Sequence, residues 1–208
     1  MAAEAGVWRR RLIRSGTLAL VALVVAAAVV YALGPRGRYT VTAPTVTIGG
    51  PFTLTTHEGA KLSEADLKGA PFTVFFGFTH CPEVCPTTLW EMSEALAALG
   101  PEADRLKVLF VSVDPERDTP ESLALYLQSF DQRIVGLTGS EEEIATVANA
   151  YRAYWRKVPT EDGDYTMDHT ASVYLMDAAG EFTGTIAYEE QADVRIAKLK
   201  RLVAGGTS

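Results

Sequence analysis

The most continuous apolar stretch of the chain comes first. Ser15 to Leu33 carries no charge, and from Leu18 onward it is almost wholly Leu, Val and Ala. A helix over 15–33 would be roughly 28 Å long, close to the thickness of a bilayer's hydrocarbon core. The pattern therefore predicts one N-terminal transmembrane helix. It follows a short N-terminus (1–14) and precedes a linker (34–50) in which Gly, Pro and Thr mix. A cleaved signal peptide is the alternative reading of the same run.

Past the linker the periodicity changes repeatedly. Phe52 to Thr56 alternates like a half-buried strand, and His57-Glu58-Gly59 reads as its turn. Ser63 to Leu67 is a short helical turn. Pro71 to Phe78 is an apolar, aromatic run of the kind found in a central strand. Leu89, Met92, Leu96 and Leu99 then repeat at helical spacing from Pro86, and Gly100-Pro101 stops the helix. Leu106 to Val113 is a second buried strand. Thr119-Pro120 opens a helix as cap and first residue. Ile134 to Leu137 is a short strand, and Ser140 with Glu143 fits a capping box for a helix through Tyr151. Ala171–Met176 and Glu181–Ala187 form a hairpin around Asp177-Ala178-Ala179-Gly180, and Ala192 to Val203 closes the chain as a helix.

Helical crossovers make parallel pairs and hairpins make antiparallel ones. The order of elements thus predicts an α/β domain over 51–208: a thioredoxin-like fold, with a mixed central sheet flanked by helices. Composition agrees, with 48% hydrophobic and 22% charged residues in 208. The net charge of −7 argues against a nucleic-acid partner. Its distribution adds more. Arg9, Arg10, Arg11 and Arg14 precede the apolar run, and only Arg36 and Arg38 follow it closely. Positive flanks stay in the cytoplasm. The expected arrangement is a single pass through an inner membrane, with the C-terminal domain on the periplasmic side.

The chemistry is concentrated in Phe78-Thr79-His80-Cys81-Pro82-Glu83-Val84-Cys85-Pro86, just after the apolar strand and at the start of a helix. Cys81 and Cys85 are four apart, a spacing that puts two side chains on one helix face. Thiolates are stabilised at a helix N-terminus. A structural disulfide would close a loop too short to add much stability. A soft metal or a redox couple fits better. With only two Cys and three His in the chain, a closed tetrahedral zinc site is hard to complete, whereas copper(I) accepts thiolates and imidazole.

The third ligand is sought among three histidines. His57 lies in a turn and reads as solvated. His80 adjoins Cys81, and neighbours on an extended chain point to opposite sides, so it would cover or tune the site. His169 immediately precedes the strand at Ala171, where a thioredoxin-like sheet faces its dithiol. It is the candidate third ligand, with a structural or surface role as the alternative. Asp168 would orient the imidazole or cap the strand, and Asp114 would lie near the site or form a turn before Pro115. Arg117 and Asp118 would build the loop.

On these residues the chain resembles the Sco/SenC family of membrane-anchored copper proteins of cytochrome oxidase assembly. The carriers are Phe76 to Pro86, Val111-Ser-Val-Asp-Pro-Glu-Arg-Asp-Thr-Pro120, and Asp168-His169-Thr170 before an apolar strand. The resemblance implies copper held by Cys81, Cys85 and His169. It implies a metallochaperone rather than a turnover enzyme. It also implies a copper-accepting oxidase subunit as partner, whose dinuclear copper centre the protein helps to assemble. The alternative is a thiol-disulfide oxidoreductase or redox sensor acting on that subunit's cysteines, with Cys81 and Cys85 as the redox pair. Thioredoxin-like oxidoreductases generally place a cis-proline before the strand facing the dithiol. Here that position reads Asp168-His169-Thr170, which moves the weight toward metal holding.

Overall fold

The computed structural model of the chain describes residues 20–31 and 47–205. Residues 20–31 are helical (α1) and exposed along their length. The rest of the expected 15–33 anchor lies outside the described residues. Among the described residues, no helix is long and apolar enough to cross a membrane.

The residues from 47 onward form one compact unit around a seven-stranded sheet of order β2-β1-β5-β4-β3-β8-β9. Its strands are β1 (Thr53–Thr56), β2 (Lys61–Ser63), β3 (Phe72–Gly77), β4 (Lys107–Ser112), β5 (Ile134–Thr138), β8 (Val173–Met176) and β9 (Phe182–Ile186). β3, β4 and β5 are parallel, whereas β1 runs antiparallel to β5 and β8 antiparallel to β3. The mixed sheet expected from the order of elements is present. Every residue of β3 is buried, as a strand covered on both faces requires. β1, next to the edge strand β2, alternates buried positions with exposed or half-buried ones.

The helices are α2 (Val84–Leu99), α3 (Pro120–Leu127), α4 (Glu141–Ala150) and α5 (Ala192–Val203). Two consecutive right-handed crossovers in one direction put α2 and α3 on the same face. Phe110 of β4 meets Tyr126 of α3 there, at 6.0 Å between ring centroids. α5 packs along α2, tied by Arg195 to Glu91 at 2.9 Å, with both side chains largely buried. The opposite face belongs to α4 and to Tyr151 at its end, which stands edge-on to Phe76 and Tyr174. Helix starts follow the capping chemistry read in the sequence. Thr119 Oγ1 accepts from Ser122 N, and Ser140 and Glu143 form a reciprocal capping box.

Two further strands stand outside the main sheet. β6 (Trp155–Pro159) and β7 (Tyr165–His169) form an antiparallel hairpin that pairs with no strand of that sheet. No element is predicted from the sequence over 155–169. β7 ends on His169 and delivers it to the N-terminus of α2.

Candidate metal centre

The site sits where β3 ends and α2 begins. β3 runs out at Gly77, and Phe78 to Glu83 turn the chain into the helix. Cys85, in the first turn of α2, is fully buried, while Cys81 is half-buried and both thiols are free. The backbone N–H of Cys85 donates to Cys81 Sγ at 3.3 Å, so that sulfur satisfies one of the unpaired amides at the helix start. Gly77 makes the close packing feasible. A Cβ there would lie 2.6 Å from the Phe110 ring and 2.8 Å from Cys85 Sγ.

His169 approaches from the hairpin. Its Nδ1 lies 3.0 Å from the Thr170 carbonyl oxygen, which can only accept, so Nδ1 carries the proton and Nε2 presents a lone pair. Nε2 lies 3.4 Å from Cys85 Sγ. The rings of Phe75 and Phe78 stand edge-on to the imidazole at 6.1 and 5.8 Å and fix its plane. The two sulfurs and the ring nitrogen all lie within 4.8 Å of one another. Cys81 and His169 border a cleft of about 290 Å³ that Phe78, Met167 and Ala171 also line.

The two thiols have opposite electrostatics. A hydrogen bond from Cys85 is the largest influence on Cys81; with further bonds from the backbone amides of Cys85 and Glu83 it outweighs the cost of burial and lowers the Cys81 pKa to about 4. Burial, first, and then the neighbouring Cys81 sulfur push Cys85 far up. The pair thus holds one proton between two sulfurs around neutral pH: a thiolate at the surface and a thiol beneath it.

The remaining candidates fall around this cluster. His80 is exposed in the turn, with Nδ1 3.0 Å from Thr79 Oγ1, and is not one of the three converging donors. Asp168 points to the other side of β7 and pairs with Arg156 at 2.9 Å. The Thr170 carbonyl, not the Asp168 carboxylate, orients the imidazole. Asp114 is buried, accepts from Arg117 Nε and from the Tyr165 hydroxyl, and belongs to the turn after β4. His57 is engaged rather than solvated: its Nδ1 accepts from Gly136 N at 3.1 Å.

Asp118 has the larger part in the loop that sequence reasoning gave it. Fully buried, it accepts from Thr79 N at 3.0 Å, Thr79 Oγ1 at 2.6 Å and Ser112 Oγ at 2.5 Å. Those bonds fix the chain two residues before Cys81. Tyr165 was not anticipated. Asp162-Gly163, a turn dipeptide just before the alternating segment Tyr165–His169, is the signal that could have exposed its hairpin.

Comparison with known proteins places this geometry. Residues 40–204 match the family model described as SCO1/SenC. The human protein SCO1 homolog, mitochondrial, is 46% identical over 138 residues, which cover 65% of this chain and 46% of that protein. The chain thus spans about half the length of the curated relatives it matches first. Among solved structures, Bradyrhizobium japonicum ScoI with copper bound is 52% identical, with a TM-score of 0.70, covering 74% of this chain and 99% of that one. BsSco, described as a Sco family member with a disulfide switch, is 27% identical, with a TM-score of 0.61, covering 78% of this chain and 96% of that one.

Proposed function

Because the chain belongs to the SCO1/SenC family, we propose that it carries one copper ion on Cys81, Cys85 and His169 and passes it to a copper-accepting subunit of cytochrome c oxidase, helping to assemble that subunit's dinuclear copper centre. The observation that carries this reading is the convergence of two sulfurs and one imidazole nitrogen within 4.8 Å. The donor set fits the cargo: thiolates select soft copper(I), and imidazole suits copper in either oxidation state. Copper is bound and released here rather than retained. The copper-bound Bradyrhizobium japonicum ScoI supports the cargo, BsSco, described as a member of a family of cytochrome c oxidase assembly proteins, supplies the oxidase context, and the resemblance read from the sequence supplies the partner.

The chain's own residues divide the work. Cys81, half-exposed and held as a thiolate, is the donor that an incoming ion or an acceptor's ligand meets first. Cys85 gives up its proton as the metal enters, so loading releases a proton to solvent. His169 completes the set from a separate element, its Nδ1–H anchored so that Nε2 stays a donor. The uncharged run at 15–33, with four arginines before it, would anchor the protein in an inner membrane and put this domain in the periplasm.

A second reading rests on the depressed Cys81 pKa and on the disulfide switch of BsSco. Cys81 attacks a partner disulfide and Cys85 resolves the mixed disulfide. The partner then leaves as two thiols, while Cys81 and Cys85 end as a disulfide, two electrons poorer. Copper loading needs the same cysteines reduced, so the two activities share one site.

Anaerobic copper(I) titration of the reduced full chain tests the first reading. One copper per chain is expected, abolished by thiol blocking and weakened at least tenfold by His169→Ala. Stoichiometric, unweakened binding in His169→Ala would refute it. The second reading expects turnover on disulfide substrates that survives His169→Ala and is lost in Cys81→Ser.

A further inference from the structure

His169 is held by an element with little support of its own. Among the described residues β7 pairs only with β6, and a lone two-stranded hairpin is marginal in water. Its position is set by contacts gathered on Tyr165, which shares a face of β7 with His169, four residues away. The Tyr165 ring is sandwiched between two cations: Arg117 Cζ lies 3.7 Å and Lys157 Nζ 3.8 Å from its centroid. Its hydroxyl lies 2.9 Å from Asp114 Oδ1 and 3.3 Å from Glu116 Oε2. Arg117 reaches across once more and is braced within its own turn. Nη1 donates to the Tyr165 carbonyl at 3.0 Å and Nε to Asp114, with the guanidinium 5.9 Å from the Phe78 ring that flanks His169. Lys157 on β6 bonds Glu116 at 2.6 Å.

Asp114, Glu116 and Arg117 all lie in the turn 114–118 after β4, and Arg117 Nη1 also pairs with Asp164 of the hairpin at 3.5 Å. The same turn holds Thr79, and with it the approach to Cys81, through Asp118. One turn therefore grips both halves of the cluster: the sulfurs through Asp118 and the imidazole through Arg117 and Tyr165.

We infer that Arg117 and Tyr165 are positioning residues for the copper centre, a latch that sets how far His169 reaches toward the two sulfurs. The inference rests on the cluster being the copper site. Neither side chain touches the metal; each acts only through His169.

The test is a double-mutant cycle in the full chain. Arg117→Gln and Tyr165→Phe are made alone and on a His169→Ala background. Copper(I) affinity is read by competition with a chromophoric chelator, and the copper(II) form by its thiolate charge-transfer band. Each variant alone is expected to lose about tenfold in affinity, the lower end for residues that orient a metal ligand, and to shift the band. On the His169→Ala background neither should change anything further. Affinity and band both unchanged in the two single variants would overturn the latch. So would an equal loss with His169 already removed, the mark of general destabilisation. If His169→Ala itself binds copper as tightly as wild type, the copper-site reading fails instead. Should Arg117→Gln prove unfolded by circular dichroism, Tyr165→Phe, which deletes one oxygen and keeps the ring, carries the cycle.

Discussion

Gly77→Ala adds one methyl group where the site is tightest. Its carbon would sit 2.6 Å from a Phe110 ring atom and 2.8 Å from Cys85 Sγ, against about 3.5–4.0 Å for a comfortable contact. Neither neighbour can retreat into solvent, since both are fully buried. Phe110 is backed by Phe75 and Tyr126, and Cys85 is fixed in the first turn of α2. Overpacking of this kind costs about 1–3 kcal/mol. At 2–4 °C per kcal/mol for a domain of this size, the melting temperature should fall by about 2–12 °C. The strain is resolved partly by displacing Cys85, so copper(I) affinity should fall as well. Thermal unfolding of the reduced, copper-free full chain, followed by a chelator competition, reads both. A melting temperature within about one degree of wild type, with unchanged copper affinity, would show that Cys85 does not pack against the end of β3.

Other perturbations separate the supports of the site. Asp118→Ala strands the buried Ser112 hydroxyl and the part-buried Thr79 amide and hydroxyl; at about 1–3 kcal/mol for each unsatisfied buried group, before water enters, it should destabilise by about 1–3 kcal/mol in urea unfolding. Wild-type stability in that assay would deny Asp118 its place in the loop. Thiolate absorbance of the reduced, metal-free protein should rise with a midpoint near the Cys81 value of about 4, while Cys85 stays protonated well past neutrality. A midpoint near that of an ordinary thiol would refute the shared-proton description. The linked stability has a definite sign. A thiol depressed in the fold contributes stability that is fully present above its unfolded pKa and is lost as pH falls toward about 4, so the Cys81 contribution should rise between these limits. Cys85, raised in the fold, contributes stability below its unfolded pKa and loses it as pH climbs above that. Replacing Cys81 by Ser should remove the acid-side part of this dependence.

Much of the architecture is written in the order of the residues, for physical reasons that also explain the gaps. β3 is legible because a strand buried on both faces must be apolar throughout, and Phe72 to Gly77 is nearly so. α2 is legible from Leu89, Met92, Leu96 and Leu99, and α3 and α4 from their caps. β2 has only three residues, too few to show a period. The β6–β7 hairpin is harder to read because it packs on little core. Of its ten residues only Met167 is buried, and Arg156 and Lys157 sit mid-strand. Its order comes from cation–π contacts and ion pairs with a turn some fifty residues earlier, which no local pattern encodes. The two cysteines announce themselves by spacing and by their place at a helix start. His169 could be singled out by its position before the β8 run, but its orienting partner is the Thr170 carbonyl, a backbone atom with no residue-type signature. That left Asp168 as the apparent choice, although it lies across the strand with Arg156.

The claim at the centre is that one copper ion is shared by two sulfurs and one imidazole of a single chain. X-ray absorption on the copper(I)-loaded full chain measures that shell directly. The expected result is two sulfur scatterers, at about 2.3 Å by analogy with zinc thiolates, and one nitrogen per copper, with the nitrogen lost in His169→Ala. A shell of sulfur alone with copper–copper scattering, or one without sulfur, would contradict it.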